Sequence, residues 1–210
     1  MVEDFGRMTV KQFQTALSSS SPTPGGGSAS GLVLGNAAAL TCMVCDLTTS
    51  NPKWKDGWAA AEKIQSIAIP ILLDSIELAN ADSLAFEDVM KSWKLPKNNK
   101  EEEELRKEKI EEASLNAALA PLEIAIKSAE ILELLPELAE KGNPNAITDV
   151  AVAALLSHAS SRGALYNVRI NLLDLERPDL NKKINKINTQ IDSNLEKTLS
   201  IVEKSLNSVD

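Results

Sequence analysis

Asp82 is the residue of this chain best placed for chemistry, because of its neighbours along the sequence. Ile64, Ala68, Ile71, Ser75, Leu78, Asp82, Ala85 and Val89 recur at steps of three and four, the spacing of one helix face. A carboxylate between Leu78 and Ala85 on an inward stripe is expected to be partly buried. Burial costs the ionised form on the order of several kcal/mol unless it is paired, so the pKa should move upward. That suits a general acid or base working near neutrality. An Asp bonded to a neighbouring helix end, or facing solvent at a bundle rim, fits the same spacing. A second set, Asp149, Ala153, Leu156, Ser160, Gly163, Asn167 and Asn171, lines one side of a later helix. Asp149 falls in a first turn, where the helix dipole favours a carboxylate. Asn167 and Asn171, one turn apart among apolar neighbours, need partners if buried, as structural links or as ligand contacts.

The run Gly25, Gly26, Gly27, Ser28 precedes a helix and can present backbone N–H groups to an anion. It lacks the Gly-Lys-Ser/Thr ending of a nucleotide P-loop, so ATP and GTP are not expected. A carboxylate-bearing ligand fits as well as a phosphate, and so does a tight turn before a buried helix. His158, the one histidine, sits beside Leu155 and Ala159 and reads as packed rather than catalytic. Cys42 and Cys45 form a lone C-x-x-C and read as buried thiols, since zinc needs more ligands than these. No metal site is expected.

The elements that must position these residues are helices. Thr9 to Leu17 is a short amphipathic helix with Val10, Phe13 and Leu17 on one side. Ser28 to Thr48 follows, with a second stripe of small residues at Gly31, Gly35, Ala38 and Cys42 that lets another helix approach closely. A long helix from Asp56 to Trp93 is expected to kink at Pro70. Lys94 to Asn99 is a loop, and Glu101 to Lys141 is a helix interrupted near Pro121 and Pro136 and stopped by Gly142. Asn143 and Pro144 open a fourth long helix to about Leu173. Pro178 breaks the chain before the last one, Leu180 to Leu206, striped by Leu180, Ile184, Ile187, Ile191, Leu195 and Val202.

Composition agrees with that reading and removes other classes. Apolar residues make up 43% of the 210, but aromatics only 3%, led instead by Ala, Leu and Ile. A β-sandwich or barrel would want more aromatic and β-branched residues. The expectation is an all-α fold, a bundle of long helices kinked at prolines, forming a single domain over residues 1–210. With 30 acidic and 22 basic residues the formal charge is −8, which argues against a nucleic-acid partner. No uninterrupted apolar run reaches the roughly 18 residues that span a bilayer. The first residues lack an apolar signal core, so a cytoplasmic protein without membrane association is expected.

Several segments together resemble a known family. Pro22-Thr23-Pro24-Gly25-Gly26-Gly27-Ser28 opens a small-residue helix. Asp82-Ser83-Leu84-Ala85-Phe86, Val89-Met90, Lys94-Leu95-Pro96-Lys97-Asn98, Gly142-Asn143, Thr148-Asp149, Val152-Ala153 and Asn167-Val168-Arg169-Ile170-Asn171 follow in order. Their order and spacing over about residues 8–205 are similar to the cyclodeaminase/cyclohydrolase family of folate enzymes. The resemblance implies an all-α homodimer that binds a tetrahydrofolate derivative and needs no metal, nucleotide or other cofactor. It implies either closure of 5-formiminotetrahydrofolate to the 5,10-methenyl form with loss of ammonia, or hydrolysis of the methenyl form to 10-formyltetrahydrofolate. The cyclodeaminase is the leading expectation, the cyclohydrolase the alternative, and a non-catalytic folate- or partner-binding helical dimer the second alternative. Asp82 is then the expected acid/base, and Gly25, Gly26, Gly27 and Ser28 position the ligand. Asn167 and Asn171 would meet the pterin, Asp149 would join the binding set, and Lys94 and Lys97 would attract the glutamate tail.

Overall fold

Small residues, rather than large ones, decide how the helices of this chain meet. The computed structural model describes residues 4–207, and six α-helices account for most of them: α1 (Val10–Leu17), α2 (Gly26–Thr49), α3 (Trp58–Ser92), α4 (Lys100–Lys141), α5 (Ile147–Asn171) and α6 (Pro178–Asn207). No strand occurs among the described residues. Helix α2 lies at the centre, packed against α3 and α5 and touching α4; α6 covers α4 and α5. Gly31 and Gly35 of α2 press on α3: a Cβ on Gly31 would stand 2.8 Å from that of Ala79, and one on Gly35 would stand 2.5 Å from Ser75 Oγ. Only a bare Cα lets the two helix axes come so near. The core behind this contact is Leu34, Ala38, Val44, Ile64, Ala68 and Ile71, continued by Ile124, Leu132, Leu135, Leu165 and Ile191.

Several ends are set by local capping. Thr9 accepts from Gln12 N–H and Gln12 reaches back to the Thr9 N–H, a capping box that starts α1. Asn99 caps α4 through the Glu102 N–H. The expected apolar side of α1 is mostly uncovered: Val10 is 75% exposed, and Phe13 alone meets another ring, edge-on to Phe5 at 5.4 Å. Asn143 and Pro144 open a 3-10 turn, and α5 proper begins at Ile147. Pro178 is the first residue of α6 rather than a break ahead of it, a position where its missing N–H costs nothing.

Helix α3 continues through Pro70, as expected of a proline that does not end its helix, and α4 continues through Pro121 and Pro136, where interruptions were expected. At Pro121 the reason is visible. A proline leaves the carbonyl four residues earlier without its helical donor, here Ala117. Asn171 of α5 supplies the replacement, its Nδ2–H donating to Ala117 O at 2.8 Å. Two helices, Gly26–Thr49 and a part of Pro52–Ser92, are apolar and long enough to cross a membrane by length and composition, which a count of uninterrupted apolar residues missed. The most apolar stretch of the first is 61% buried within the bundle, that of the second 28%. Ser, Thr and Gly keep such stretches uncharged without making them continuous in apolar side chains.

Candidate active site

The inward face of α3 differs in phase from the sequence expectation. Its buried positions are Ile64, Ala68, Ile71, Ser75, Ala79 and Ser83, whereas Leu78, Asp82, Ala85 and Val89 are half-buried. Asp82 therefore flanks the core instead of replacing part of it. Its carboxyl lies against the start of α2, so close to Gly27 that any side chain there would overlap it. Gly25 is the N-cap of α2, and Gly26, Gly27 and Ser28 form its first turn rather than a loop before it. The Ser28 backbone N–H donates to Asp82, and the Ser28 hydroxyl donates to Asp82 Oδ2 at 3.2 Å. The anion at this helix N-terminus is thus the protein's own carboxylate.

Two opposed effects act on that carboxylate. Burial pushes its pKa above the ordinary Asp range, and the two donors from Ser28 pull it partly back. The upward push is the larger. No charged side chain takes part in this balance, so no ion pair holds the Asp82 carboxyl.

The other expected residues fall at different distances from this centre. Asn167 borders it: a Cβ on Gly26 would stand 3.5 Å from Asn167 Nδ2, which donates to Gly163 O at 2.9 Å. Asn171 is one turn further along α5, with its amide N–H engaged by Ala117. Beyond it opens a groove of about 560 Å³ between the ends of α3, α4 and α5, bounded by Trp93, Ile110, Ser114, Ile170, Asn171 and Leu175. Lys94 and Lys97 are exposed in the segment after α3, Lys94 about three helical turns beyond Asp82. Asp149 is not part of the cluster in this chain: it lies about 27 Å from Asn167 along α5. That end of α5 meets the C-terminus of α2, where Thr48 Oγ1 accepts from the Asn143 N–H.

His158 and the cysteines play no part in the Asp82 cluster. His158 Nε2 is 2.8 Å from Asp192 on α6, and Cys42 and Cys45 are buried and free. Burial pushes the Cys45 thiol up to about 12, so neither thiolate nor metal chemistry is favoured there. Among the described residues, no group of three or more His, Cys, Asp or Glu is arranged to hold a metal. Sequence reasoning did not single out Ser83, which bonds to Ser28, or Trp93, which edges the groove beneath the Arg106 guanidinium at 5.0 Å. The recurrence of Ser at inward positions (Ser28, Ser75, Ser83, Ser160) was a signal for the first.

An all-helical chain that folds one carboxylate onto a glycine-built helix N-terminus has counterparts of known type. The sequence profile described as formiminotransferase-cyclodeaminase matches residues 9–190, and the chain belongs to that family of folate one-carbon enzymes. The methenyltetrahydrofolate cyclohydrolase of Methylorubrum extorquens is 36% identical over 171 residues, covering 81% of this chain and 82% of that one. The formimidoyltransferase-cyclodeaminase of Gallus gallus is 32% identical; the match covers 82% of this chain but only 32% of that longer protein. The crystal structure of formiminotetrahydrofolate cyclodeaminase from Thermotoga maritima superposes with a TM-score of 0.80 at 28% identity, covering 98% of each chain.

Proposed function

We propose that this chain acts on the carbon bridging N5 and N10 of a tetrahydrofolate, and that its main reaction is hydrolysis of the 5,10-methenyl form to 10-formyltetrahydrofolate. The observation that carries this reading is Asp82: a half-buried carboxyl, raised in pKa, held by Ser28 and free of any cation. The amidinium carbon of the substrate is already electrophilic, so the protein has to manage protons and position. Water adds to that carbon and gives a proton to the Asp82 carboxylate. The resulting carboxylic acid protonates N5 as the C–N5 bond breaks, and the hydroxyl proton leaves to solvent as the formyl group forms on N10. One group thus serves as base and then as acid, which a carboxyl pKa moved upward from its ordinary value favours. Holding the bridge against the carboxylate supplies much of the rest.

The similarity to a cyclohydrolase over four-fifths of both chains supports this order of preference. Likeness to the cyclodeaminase structure over nearly the whole chain supports a second reading, formation of the same methenyl carbon from 5-formiminotetrahydrofolate. There Asp82 takes the proton of N10 as N10 attacks, and returns it to the departing ammonia. In either case Asn167 borders the reacting end, the groove edged by Trp93 receives the ring system, and Lys94 and Lys97 draw the anionic tail. Helix α5 leaves Val152, Leu155, Tyr166 and Ile170 between 46% and 61% exposed. At steps of three, eleven and four they share one side of the helix and fit a face covered by a second copy in a homodimer.

Methenyltetrahydrofolate absorbance tests the reading directly. With purified protein it should fall faster than the spontaneous rate when the methenyl form is supplied, and the excess should vanish in Asp82→Asn. No excess on the methenyl form, with a rise on 5-formiminotetrahydrofolate, would make the second reading the right one. Flat traces with both substrates would refute the enzymatic proposal.

A further inference from the structure

We propose that Ser83 is a positioning residue for Asp82: its hydroxyl fixes Ser28 as the donor to the carboxylate and so holds that carboxylate in the orientation and ionised form the reaction uses. The inference rests on the reading of Asp82 as the base. Ser83 and Ser28 are both fully buried, and their hydroxyls lie 2.8 Å apart. A serine hydroxyl has one proton to give. Ser28 gives its proton to Asp82 Oδ2, so in this arrangement Ser83 is the donor in the Ser83–Ser28 bond. The result is a chain pointing one way, Ser83 to Ser28 to Asp82, in which each bond polarises the next.

Geometry gives the chain its purpose. Gly27 leaves no atom between the carboxyl and the α2 backbone, and the carboxyl is oriented by the Ser28 N–H and Oγ–H together. The hydroxyl is the adjustable one of the two, because it rotates about χ1 and about its own C–O bond. Without Ser83 it is free to turn toward a backbone carbonyl of its own helix, as Ser30 does toward Gly26 O at 2.8 Å. The groups around the carboxyl are Gly27 and Ser28 from α2, and Asn167 of α5 near Gly26. No charged side chain from a neighbouring helix acts on it. Changes in the donor chain are therefore felt by Asp82 without a competing ion pair.

The test is the pH dependence of kcat/KM for methenyltetrahydrofolate hydrolysis in the wild type, Ser83→Ala, Ser28→Ala and the double variant, with Asp82→Asn alongside. Removing a donor to the charged form raises the pKa of a carboxyl. Loss of the chain should therefore move the acid limb of the Ser83→Ala profile to higher pH by about half a unit. That is about a three-fold loss of kcat/KM below the limb. Because Ser83 acts through Ser28, the same substitution in the Ser28→Ala background should leave the limb where Ser28→Ala put it. A Ser83→Ala limb that coincides with the wild type, with only the melting temperature changed, would reduce Ser83 to packing and overturn the proposal. An equal shift in both backgrounds would also overturn it. Full turnover by Asp82→Asn would instead sink the assignment of Asp82 as base, a failure distinct from that of Ser83.

Discussion

Asn171 and Pro121 make a quantitative test of whether the two asparagines of α5 serve the fold or the ligand. Pro121 is buried and has no N–H, so Ala117 O depends on Asn171 Nδ2 at 2.8 Å. Asn171→Ala should leave that carbonyl, enclosed by α4 and α5, without a donor. An unsatisfied buried polar group costs about 1–3 kcal/mol. For a chain of this size, about 2 kcal/mol lowers Tm by about 4–8 °C. In a Pro121→Ala background the helix regains the missing N–H, and Ala117 O has its ordinary partner four residues on. Asn171→Ala should then cost less than about half as much, leaving a coupling energy on the order of 1 kcal/mol between residues far apart in sequence. Urea unfolding of the four proteins at one protein concentration measures the cycle. If Asn171→Ala costs the same in both backgrounds, the carbonyl repair is not what holds Asn171. If it costs nothing in either and instead raises KM more than ten-fold, the amide serves the ligand and the structural reading is refuted.

Asp82→Asn should trade activity for stability. Its folded pKa is raised, so its contribution to stability is complete below the unfolded pKa and is lost as pH rises through the folded one. The neutral variant should therefore unfold at higher urea than the wild type at neutral pH, with the gap closing toward pH 4. Its turnover should fall by about 10²–10⁴, the usual worth of a general acid/base. A gap that widens on acidification would contradict the raised pKa. Association through α5 predicts that the wild type sediments as a dimer at micromolar concentration and that Ile170→Glu sediments as a monomer. An unchanged mass for that variant would place the contact elsewhere.

The long helices were legible because periodicity survives over many turns, and so was the helix-on-helix contact made by Gly31 and Gly35. What the sequence could not show is where helices ignore their breakers. Pro121 reads locally as an interruption, and the donor that cancels it comes from Asn171, in another helix. The phase of α3 was misjudged for a related reason. Core positions run Ala68, Ile71, Ser75, Ala79, Ser83 because α3 follows the glycines of α2, and small serines and alanines there carry little hydrophobic signal. The apolar Leu78 and Val89 drew the stripe toward a side that is only half covered. That misjudged phase kept the reading on Asp82 and left its buried neighbour Ser83 overlooked.

The glycine run and Asp82 looked in the sequence like two separate features, an anion site and a base. Their contact changes the meaning of both. A free helix N-terminus would bind an anionic ligand; this one already has the Asp82 carboxylate against its first turn. The N-terminus and Ser28 favour the ionised form, burial disfavours it, and burial prevails without a cation to reverse it. Had the carboxylate been paired with a lysine, its pKa would fall and it would be a poor proton acceptor. Had it been buried without Ser28, burial would act unopposed and hold its pKa further above the ordinary Asp range. The arrangement needs Gly27 to bring the carboxyl close, Ser28 to favour its ionised form, and a position one step off the core of α3 to leave one side open. In the proposed mechanism Gly27 acts on the substrate through Asp82, and the attraction proposed for the anionic part of a folate comes from Lys94 and Lys97, exposed beyond the end of α3.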